Sequence, residues 1–343
     1  MDGSYVFVIG AGASKEVNLP IGEELKTDIC KLLNFTFEGY EHKTGDSVIV
    51  DSLRKLTQHE PNNKRLEQYV DNGRHICRAL PQALSIDNFI DQHRGNADIE
   101  LLGKLAITKA ILLAESKSKL AYKKKLNSII DFRELEGTWY TSFFKLITEN
   151  CVIDDLKKRF KKITLVIFNY DRCIEHYLLH ALRNFYDIDE KSAAEIVGYL
   201  NIFHPYGKVG DLPWKNTSNA IGFGELPDSA ELMELSKQIR TFTESIDSAQ
   251  DASIKRNIAE ADKVVFLGFA FNRKNMELLT PTSIDRSQIF GKQYFASTLG
   301  ISQSGVALLQ QQIKALFGVH LEFRPHTAKC SEVLKEFWLN LSY

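Results

Sequence analysis

The chain has 343 residues, of which 44% are hydrophobic and 25% are charged, and its formal net charge at pH 7 is -1. This length corresponds to about two domains, or to one large α/β domain with an insertion, and excludes a small disulfide scaffold. The composition is that of a folded globular protein. Because the net charge is close to zero, we expect no direct binding to nucleic acid.

The cysteines and the apolar runs exclude two further classes of protein. None of the five cysteines lies in a C-x-x-C pair, so a zinc ribbon is not predicted and no metal is expected. An odd number of widely spaced cysteines is typical of reduced thiols in a cytoplasmic protein. No apolar run approaches the roughly 20 residues that cross a bilayer, so no membrane segment is predicted. The cysteines are Cys30, Cys77, Cys151, Cys173 and Cys330.

Six short runs rich in β-branched and aromatic residues predict the strands of the fold. Near-continuous apolarity is typical of parallel strands that are covered on both faces. Segments with helical periodicity separate several of these runs, so the chain predicts an α/β fold with a Rossmann-like, doubly wound parallel sheet. The predicted strands are residues 5 to 9, 163 to 168, 199 to 203, 263 to 268, 293 to 297 and 320 to 323.

The first two predicted strands are separated by far more chain than the dozen or so residues that a crossover helix requires. Apolar residues in this stretch recur at helical spacing, as at Leu101, Leu102 and Leu105. We therefore predict a large helical insertion subdomain at 35–155. The α/β domain would then consist of residues 1–34 and 156–343.

Two local predictions concern shorter segments. Residues 45 to 50 of the insertion are predicted to form a small hairpin. Residues 228 to 251 are predicted to form one amphipathic helix that could cover the site as a lid. The apolar side of that helix would carry Leu232, Leu235, Ile239 and Phe242.

One aromatic stripe within the insertion bears on assembly. Trp139, Tyr140, Phe143 and Phe144 recur at helical spacing. In one interpretation this stripe meets a second copy of the chain, which predicts a homo-oligomer. In the other it is the core of the subdomain itself.

The first predicted strand ends in Gly10, Ala11, Gly12, Ala13 and Ser14. Glycines in such a turn let backbone amides approach a diphosphate, and the following helix adds partial positive charge. A full dinucleotide fingerprint needs a small residue where this chain has lysine at position 15, and an acidic residue about 20 positions further on at a strand end. A dehydrogenase is therefore disfavoured, while a tight turn without any ligand stays open.

Polar residues follow two later strands. Asn169 and Asp171 come after the second strand, and His204 comes after the third. The carboxyl ends of parallel strands share one edge of the sheet, so these side chains should face one crevice with the glycine turn. Taken singly, Asp171 could merely cap a helix and His204 could be structural.

In this order the motifs resemble the sirtuin family, and most closely its bacterial sirtuin-like branch of NAD-hydrolysing effectors of antiphage defence. The resemblance covers most of the chain apart from the insertion. One departure is the absence of cysteines between Gly207 and Gly268, where sirtuin deacylases carry a four-cysteine zinc module. The residues that carry the resemblance are Gly10 to Ser14, Leu19 and Pro20, Asn169 to Asp171, Ile174 and Glu175, His204, Gly207, Gly268, Phe269 and Phe271.

The resemblance implies a role for each matched residue. Asn169 would orient the nicotinamide ribose or the attacking water, Asp171 would contact the carboxamide, and His204 would act as the acid or base. Phe269 and Ala270 stand where the family often has a small hydroxyl residue after the late glycine, which puts the adenosine-ribose contact in doubt. The implied NAD-binding set is Gly10, Ala11, Gly12 and Ser14 for the diphosphate, Pro20 and Gly207, and Gly268, Phe269 and Phe271 for the adenosine half.

The leading functional hypothesis is therefore an NAD+ glycohydrolase that releases nicotinamide and ADP-ribose without a metal. One alternative is a module that senses NAD or ADP-ribose without turnover. Another is an NAD-dependent deacylase or ADP-ribosyl transferase, against which the missing cysteines count. The resemblance also implies a trigger that restrains activity, such as a HerA-type ATPase or another separate subunit.

Overall fold

The computed structural model describes residues 3–39, 41–60, 62–122, 130–241, 244, 247–281, 291–318 and 320–342. The strands are β1 (Tyr5–Ile9), β2 (Thr36–Glu38), β3 (Glu41–Thr44), β4 (Ile163–Ile167), β5 (Asn201–Phe203), β6 (Lys263–Leu267), β7 (Gln293–Ser297) and β8 (Glu322–His326). The helices of the first half are α1 (Ala11–Ser14), α2 (Gly22–Leu33), α3 (Ser47–Thr57), α4 (Lys64–Ala79), α5 (Ile86–Gln92), α6 (Ala97–Lys117), α7 (Trp139–Thr148) and α8 (Ile153–Phe160). Those of the second half are α9 (Cys173–Tyr186), α10 (Glu190–Val197), α11 (Ser229–Ser236), α12 (Ser248–Glu260), α13 (Arg273–Leu279), α14 (Gln303–Phe317), α15 (Cys330–Glu336) and α16 (Trp338–Ser342).

Six strands form one parallel sheet in the order β5-β4-β1-β6-β7-β8. Numbered by their appearance in this sheet, they run 3-2-1-4-5-6, which is the doubly wound Rossmann order. All six predicted strands are present and the predicted fold class is confirmed. The order reverses between β1 and β6, so the crevice at the carboxyl ends of these two strands is where this fold binds ligands.

Both faces of the sheet are buried, as the unbroken apolar runs predict. In β1, Val6 and Val8 enter one hydrophobic cluster, whereas Phe7 and Ile9 enter the other. Helices α2 to α6 and α11 to α14 cover the first face. Helices α7 to α10, α15 and α16 cover the second.

Within residues 35–155 the described chain consists mainly of helices α3 to α8. The predicted hairpin at 45–50 is wrong, because helix α3 begins at Ser47 and the hairpin is formed earlier, by β2 and β3. The Asp46 carboxylate accepts a hydrogen bond from the amide of Ile49 at 3.0 Å and so starts the helix. Ile49 and Leu53 bury its apolar side.

The single helix predicted at 228–251 is also wrong. Helix α11 ends at Ser236 and α12 begins at Ser248. After α11 the chain turns to meet the loop that follows β5, where the amide of Arg240 donates to the carbonyl of Tyr206 at 2.9 Å. That backbone contact competes with continuation of the helix. Of the predicted apolar side, Leu232, Leu235 and Ile239 are buried, while Phe242 lies outside the described residues.

The aromatic stripe of the insertion is internal to the chain. Trp139 and Phe143 are 0% exposed and Tyr140 is 1% exposed, and all three belong to the core against the second face of the sheet. Their arrangement corresponds to the core interpretation of the stripe. The homo-oligomer stays a prediction that this stripe does not support. In the described parts of the chain no helix is both long and apolar enough to cross a membrane.

Close backbone contact fixes the geometry where the strand order reverses. The amide of Gly12 donates to the carbonyl oxygen of Gly268 at 3.0 Å. A Cβ atom on Gly10 would lie 2.5 Å from that same oxygen, and one on Gly268 would lie 2.1 Å from the amide nitrogen of Ala13. Gly268 also has a φ of +57°, which side chains rarely tolerate. The loops after β1 and β6 can therefore touch only because both carry glycine.

We expect Gly268→Ala to lower the free energy of unfolding by about 2 kcal/mol or more, because the new methyl group meets rigid backbone and the φ is unfavourable. Urea denaturation measures this. The control is Gly22→Ala, since a Cβ atom there meets nothing within 4 Å and lies at the start of a helix. Parent-like stability of Gly268→Ala would contradict the described contact.

Candidate functional site

A cleft of about 890 Å³ opens at the carboxyl edge of the sheet where the strand order reverses. It runs from the glycine turn after β1 across the ends of β6, β7 and β8. Its walls include four residues of the predicted site, Ala11, Gly12, Gly268 and Phe269. Lys15, Lys119 and Lys329 also line it. The predicted site therefore coincides with the position at which a doubly wound sheet binds ligands.

A second, smaller cavity of about 120 Å³ lies on the other side of the glycine turn, toward β4. Ala11 and Gly22 belong to the walls of both cavities. Three further predicted residues, Pro20, Asn169 and Asp171, line the small cavity. The two cavities are therefore adjacent. We call the smaller one the ring pocket.

A buried hydrogen-bond network orients Asn169. Its side-chain nitrogen donates to the hydroxyl of Ser14 at 3.0 Å, and that hydroxyl donates to Asp171 at 2.8 Å. The other carboxylate oxygen of Asp171 accepts from the amide of Cys173 at 3.1 Å. Burial raises the pKa of Asp171, although the bonds from Ser14 and Cys173 oppose this rise. Within the described chain, the side-chain oxygen of Asn169 is the atom of this group that is left for a ligand.

This network differs from the ligand contacts that the resemblance implies for Asp171 and Ser14. Both oxygens of Asp171 are bonded inside the chain, one of them to the start of α9 as the capping alternative proposed. Ser14 is only 2% exposed, and its hydroxyl accepts the hydrogen bond that orients the Asn169 side chain. The carboxamide contact of Asp171 and the diphosphate contact of Ser14 stay predictions. The geometry favours a supporting role for each.

Most backbone amides of the glycine turn also donate hydrogen bonds within the chain. Those of Gly10 and Gly12 donate to the carbonyls of Leu267 and Gly268 at 2.9 and 3.0 Å. Their ligand contacts stay predictions. Ala11 lies between them, lines both cavities, and its amide has no acceptor among the described residues.

His204 lines neither cavity but adjoins Asn169. Its Nδ1 atom lies 3.5 Å from the backbone oxygen of Asn169, and its Nε2 atom lies 3.0 Å from the carboxylate of Glu175 on α9. Burial alone would raise the pKa of Glu175, but the charge and the hydrogen bond of His204, together with Lys208, hold it well below its usual range. Glu175 therefore orients the imidazole and favours the proton on Nε2.

The two remaining predicted residues, Gly207 and Phe271, line neither cavity. Gly207 has a φ of +72° and packs against the backbone of Gln238. Phe271 packs on Phe266, with ring centroids 5.1 Å apart. Phe269 lines the cleft but is 4% exposed, so most of its ring is core.

Two important carboxylates have no counterpart in the sequence prediction. Glu115 of α6 is 0% exposed and forms an ion pair with Arg172, which is also 0% exposed. Asp87 of α5 lines the ring pocket and accepts a hydrogen bond from the hydroxyl of Tyr170. A charged residue within the apolar stretch of α6, which also holds Lys109, is a signal that could have drawn attention to Glu115. Asp87 has no local signal, because its partner lies far away in the sequence.

The comparisons with known proteins come from solved structures. A Sir2 homologue in complex with NAD aligns with a TM-score of 0.40 at 9% identity, covering 99% of this chain and 90% of that chain. A mutant Sir2 homologue with ADP-ribose gives 0.39 at 11% identity, covering 99% and 92%. TM-scores this low carry no argument about the fold, which is described here from the order and direction of the strands in the sheet. A scan of protein-family models and a search of curated proteins find no match.

We expect Ser14→Ala to destabilise the fold by about 1–3 kcal/mol, because it leaves one oxygen of Asp171 and the amide of Asn169 without their buried partner. Chemical denaturation gives the difference. Ser253→Ala is the control, since that exposed hydroxyl bonds only to a carbonyl of its own helix. Equal effects of the two substitutions would contradict the network.

The Glu175 pair predicts a pH dependence. A carboxyl group whose pKa is lower in the folded state stabilises the protein above its unfolded pKa of about 4.5, and this stability is lost as the pH falls toward the folded value. We expect Glu175→Gln to cost about 3 kcal/mol or more at pH 7, because it removes one partner of a buried pair. The difference should shrink as the pH falls below about 4.5.

Denaturation at several pH values measures this difference, with Glu190→Gln as the control. Glu190 forms an ion pair with Arg183 in which its side chain is 52% exposed, so little change is expected. A difference for Glu175→Gln that does not depend on pH would refute the assignment.

Proposed function

We propose that the protein is an NAD+ glycohydrolase, which cleaves NAD to nicotinamide and ADP-ribose. The observation that carries the proposal is a pair of adjacent cavities at the strand reversal, a cleft of about 890 Å³ and the ring pocket of about 120 Å³, which share Ala11 and Gly22 as lining residues. Asn169 lines the ring pocket. A dinucleotide is elongated and ends in a small aromatic ring. The motif resemblance to sirtuin-like NAD hydrolases points to the same substrate.

In the proposed complex the adenosine half lies in the cleft and the nicotinamide ring in the ring pocket. Gly268, Phe269 and Leu299 form the apolar side of the cleft. The diphosphate lies at the glycine turn, where the amide of Ala11 donates to it. The amides of Gly10 and Gly12 already donate to carbonyls within the chain. The charge of the diphosphate is therefore balanced by Lys119 and Lys329, which line the cleft.

The proposed reaction breaks the bond between C1′ of the ribose and the nicotinamide nitrogen. Both electrons of the bond leave with nicotinamide, which departs as a neutral molecule from a positively charged ring, so the ribose develops oxocarbenium character. Water then forms the new C1′–O bond and releases one proton to His204 or to the solvent. The site needs to orient the substrate and shield it more than to activate it. The side-chain oxygen of Asn169 holds the water or a ribose hydroxyl, and Ser14 fixes that orientation.

His204 is the proposed acid or base. Its Nε2 atom is held by Glu175, so Nδ1 is the nitrogen that can exchange a proton near Asn169. A small adjustment of the loop after β5 would bring this nitrogen to the ribose hydroxyls. Glu175 holds the ring from α9 through Nε2, and Nδ1 lies on the side of Asn169.

The biological setting belongs to the proposal as well. We place the protein in the cytoplasm as a regulated effector of antiphage defence, in which residues 1–34 and 156–343 form the NAD-binding domain and 35–155 the insertion. Its activity would await a trigger, such as a HerA-type ATPase or self-assembly, because unrestrained hydrolysis would drain the NAD of the cell. These points rest on the family resemblance.

We expect Asn169→Ala and His204→Ala each to lower the rate of nicotinamide release by a factor on the order of 10²–10⁴, because each removes a group that acts at the reacting ribose. Chromatography of the reaction of purified protein with NAD measures the rate. NAD affinity should fall much less than the rate.

The control is His180→Ala, a substitution on α9 outside both cavities, and all variants are compared by melting temperature. Full activity of Asn169→Ala would refute the proposed mechanism. A parent protein that binds NAD but releases no nicotinamide, alone or with a partner encoded by a neighbouring gene, would favour the sensing module. Release that requires a protein acceptor would favour the transferase.

A further inference from the structure

Two cysteines that are remote in sequence lie side by side between helices α2 and α4. The sulfur of Cys77 lies 3.2 Å from the carbonyl oxygen of Cys30, and the sulfur of Cys30 lies 3.6 Å from the carbonyl oxygen of Cys77. Each side chain thus reaches the backbone of the other residue. Both thiols are free and half-buried, and the proposed function uses neither of them.

Both cysteines line a cavity of about 510 Å³, which shares no lining residue with the cleft or the ring pocket. This volume is within the range of roughly 300–1,000 Å³ that is usual for pockets that hold small molecules. The cavity lies between α2 and the end of α4 and also includes Thr27, Asn34 and Pro81. A small reagent can therefore reach the two sulfurs from outside.

The charge of this cavity is positive. Its charged lining residues are Lys26, Lys31, Arg78 and Glu23. Lys26 pairs with Glu23 at 2.9 Å, and Lys31 pairs with Asp28 at 2.9 Å. Arg78 forms no ion pair among the described residues. Its charge is therefore available to an anionic molecule that enters the cavity.

The surroundings of the two sulfurs give them different roles. Burial raises the pKa of Cys30, while Cys77 and Lys26 oppose this rise. Burial and the neighbouring Cys30 raise the pKa of Cys77 to about 12. Cys30 is therefore the thiol that ionises first, and a thiolate is the form that attacks a disulfide.

We propose that Cys30 and Cys77 form a thiol–disulfide exchange site that takes an anionic low-molecular-weight disulfide, such as oxidised glutathione. Glutathione carries more carboxylates than ammonium groups, which suits a cavity in which Arg78 has no acidic partner among the described residues. The product is a disulfide between α2 and α4. This inference does not rest on the proposed cleavage of NAD.

The exchange proceeds in two steps. The thiolate of Cys30 attacks one sulfur of the reagent, whose S–S bond breaks, and the departing half takes up a proton as a thiol. The sulfur of Cys77, after losing its proton, then attacks the sulfur of Cys30 and displaces the bound half, which also leaves as a thiol. The two cysteines lose two electrons and two protons, and the reagent gains both.

The new bond would join two elements that lead to the ring pocket. Helix α2 begins at Gly22, and the chain after α4 continues to Ser85, and both of these residues line that pocket. Lys26 already connects α2 to this segment, since its Nζ atom donates to the carbonyl of Ala83 at 2.6 Å. The disulfide adds a covalent restraint beside this contact.

The test exposes the native, reduced parent to oxidised glutathione, blocks the remaining thiols with N-ethylmaleimide and maps the products by peptide mass spectrometry. We expect a disulfide between Cys30 and Cys77 in the parent, which reduced glutathione reverses. In Cys77→Ser the exchange should stop with glutathione on Cys30. Cys151→Ser is the matched control and should form the bond as the parent does, because Cys151 is also half-buried but its thiol donates to the carbonyl of the adjacent Val152.

The charge of the cavity has a test of its own. Arg78→Gln should slow the reaction with oxidised glutathione about threefold or more and leave the rate with the neutral hydroxyethyl disulfide unchanged. Lys335→Gln, which removes an exposed charge on α15, should change neither rate. If Arg78→Gln slows both reagents equally, or slows neither, the choice of an anionic reagent is wrong.

The result for the parent decides the main point. A parent in which Cys30 and Cys77 do not become linked overturns the proposal, whatever the other cysteines do. Glutathione that reaches Cys30 of Cys77→Ser no faster than it reaches Cys151 also overturns it, since the cavity then gives no selectivity. Mapping of the parent needs no substitution, so the proposal can be refuted even if a serine variant fails to fold.

Discussion

The buried ion pair between Glu115 and Arg172 ties helix α6 to the loop that follows β4. Both side chains are 0% exposed. Arg172 also donates to the carbonyl of Ile221 at 2.7 Å, and the amide of Gly224 donates to Glu115 at 3.1 Å. A pair this deep is tolerable only when its remaining donors and acceptors are satisfied, so these loops must close around it. Because Arg172 directly follows Asp171, the position of the whole loop depends on helix α6.

The consequence is that the site is built from two parts of the chain that are remote in sequence. The glycine contacts at the strand reversal set the cleft, since the loops after β1 and β6 meet there without side chains between them. The ion pair and the bond from Tyr170 to Asp87 set the ring pocket, since they bring α5 and α6 against the loop after β4. The insertion is therefore structurally part of the ring pocket, although most of its residues lie away from the sheet edge.

The sequence predicts the features that local pattern determines. Unbroken apolar runs identify the six strands, and glycine or polar residues directly after them identify the crevice, because strand ends in a parallel sheet share an edge. It does not predict where a helix yields to tertiary contact, as at Arg240, whose amide bonds to Tyr206. The sequence does not predict the roles of Asp87 and Glu115 for the same reason. Their roles come from partners that only the fold brings near.

The distribution of hydrogen bonds separates residues that build the site from those that can act in it. Ser14 and both carboxylate oxygens of Asp171 bond to neighbouring side chains or amides, and Oε1 of Glu175 bonds to His204. Oε2 of Glu175 is buried and has no partner among the described residues. Resemblance alone assigned Ser14 and Asp171 to the ligand. Among the described residues, the amide of Ala11 and the side-chain oxygen of Asn169 are instead left without a partner, and the bond to Ser14 orients the Asn169 side chain. Such preorganisation is what a reaction with a good leaving group requires, because positioning then accounts for most of the rate.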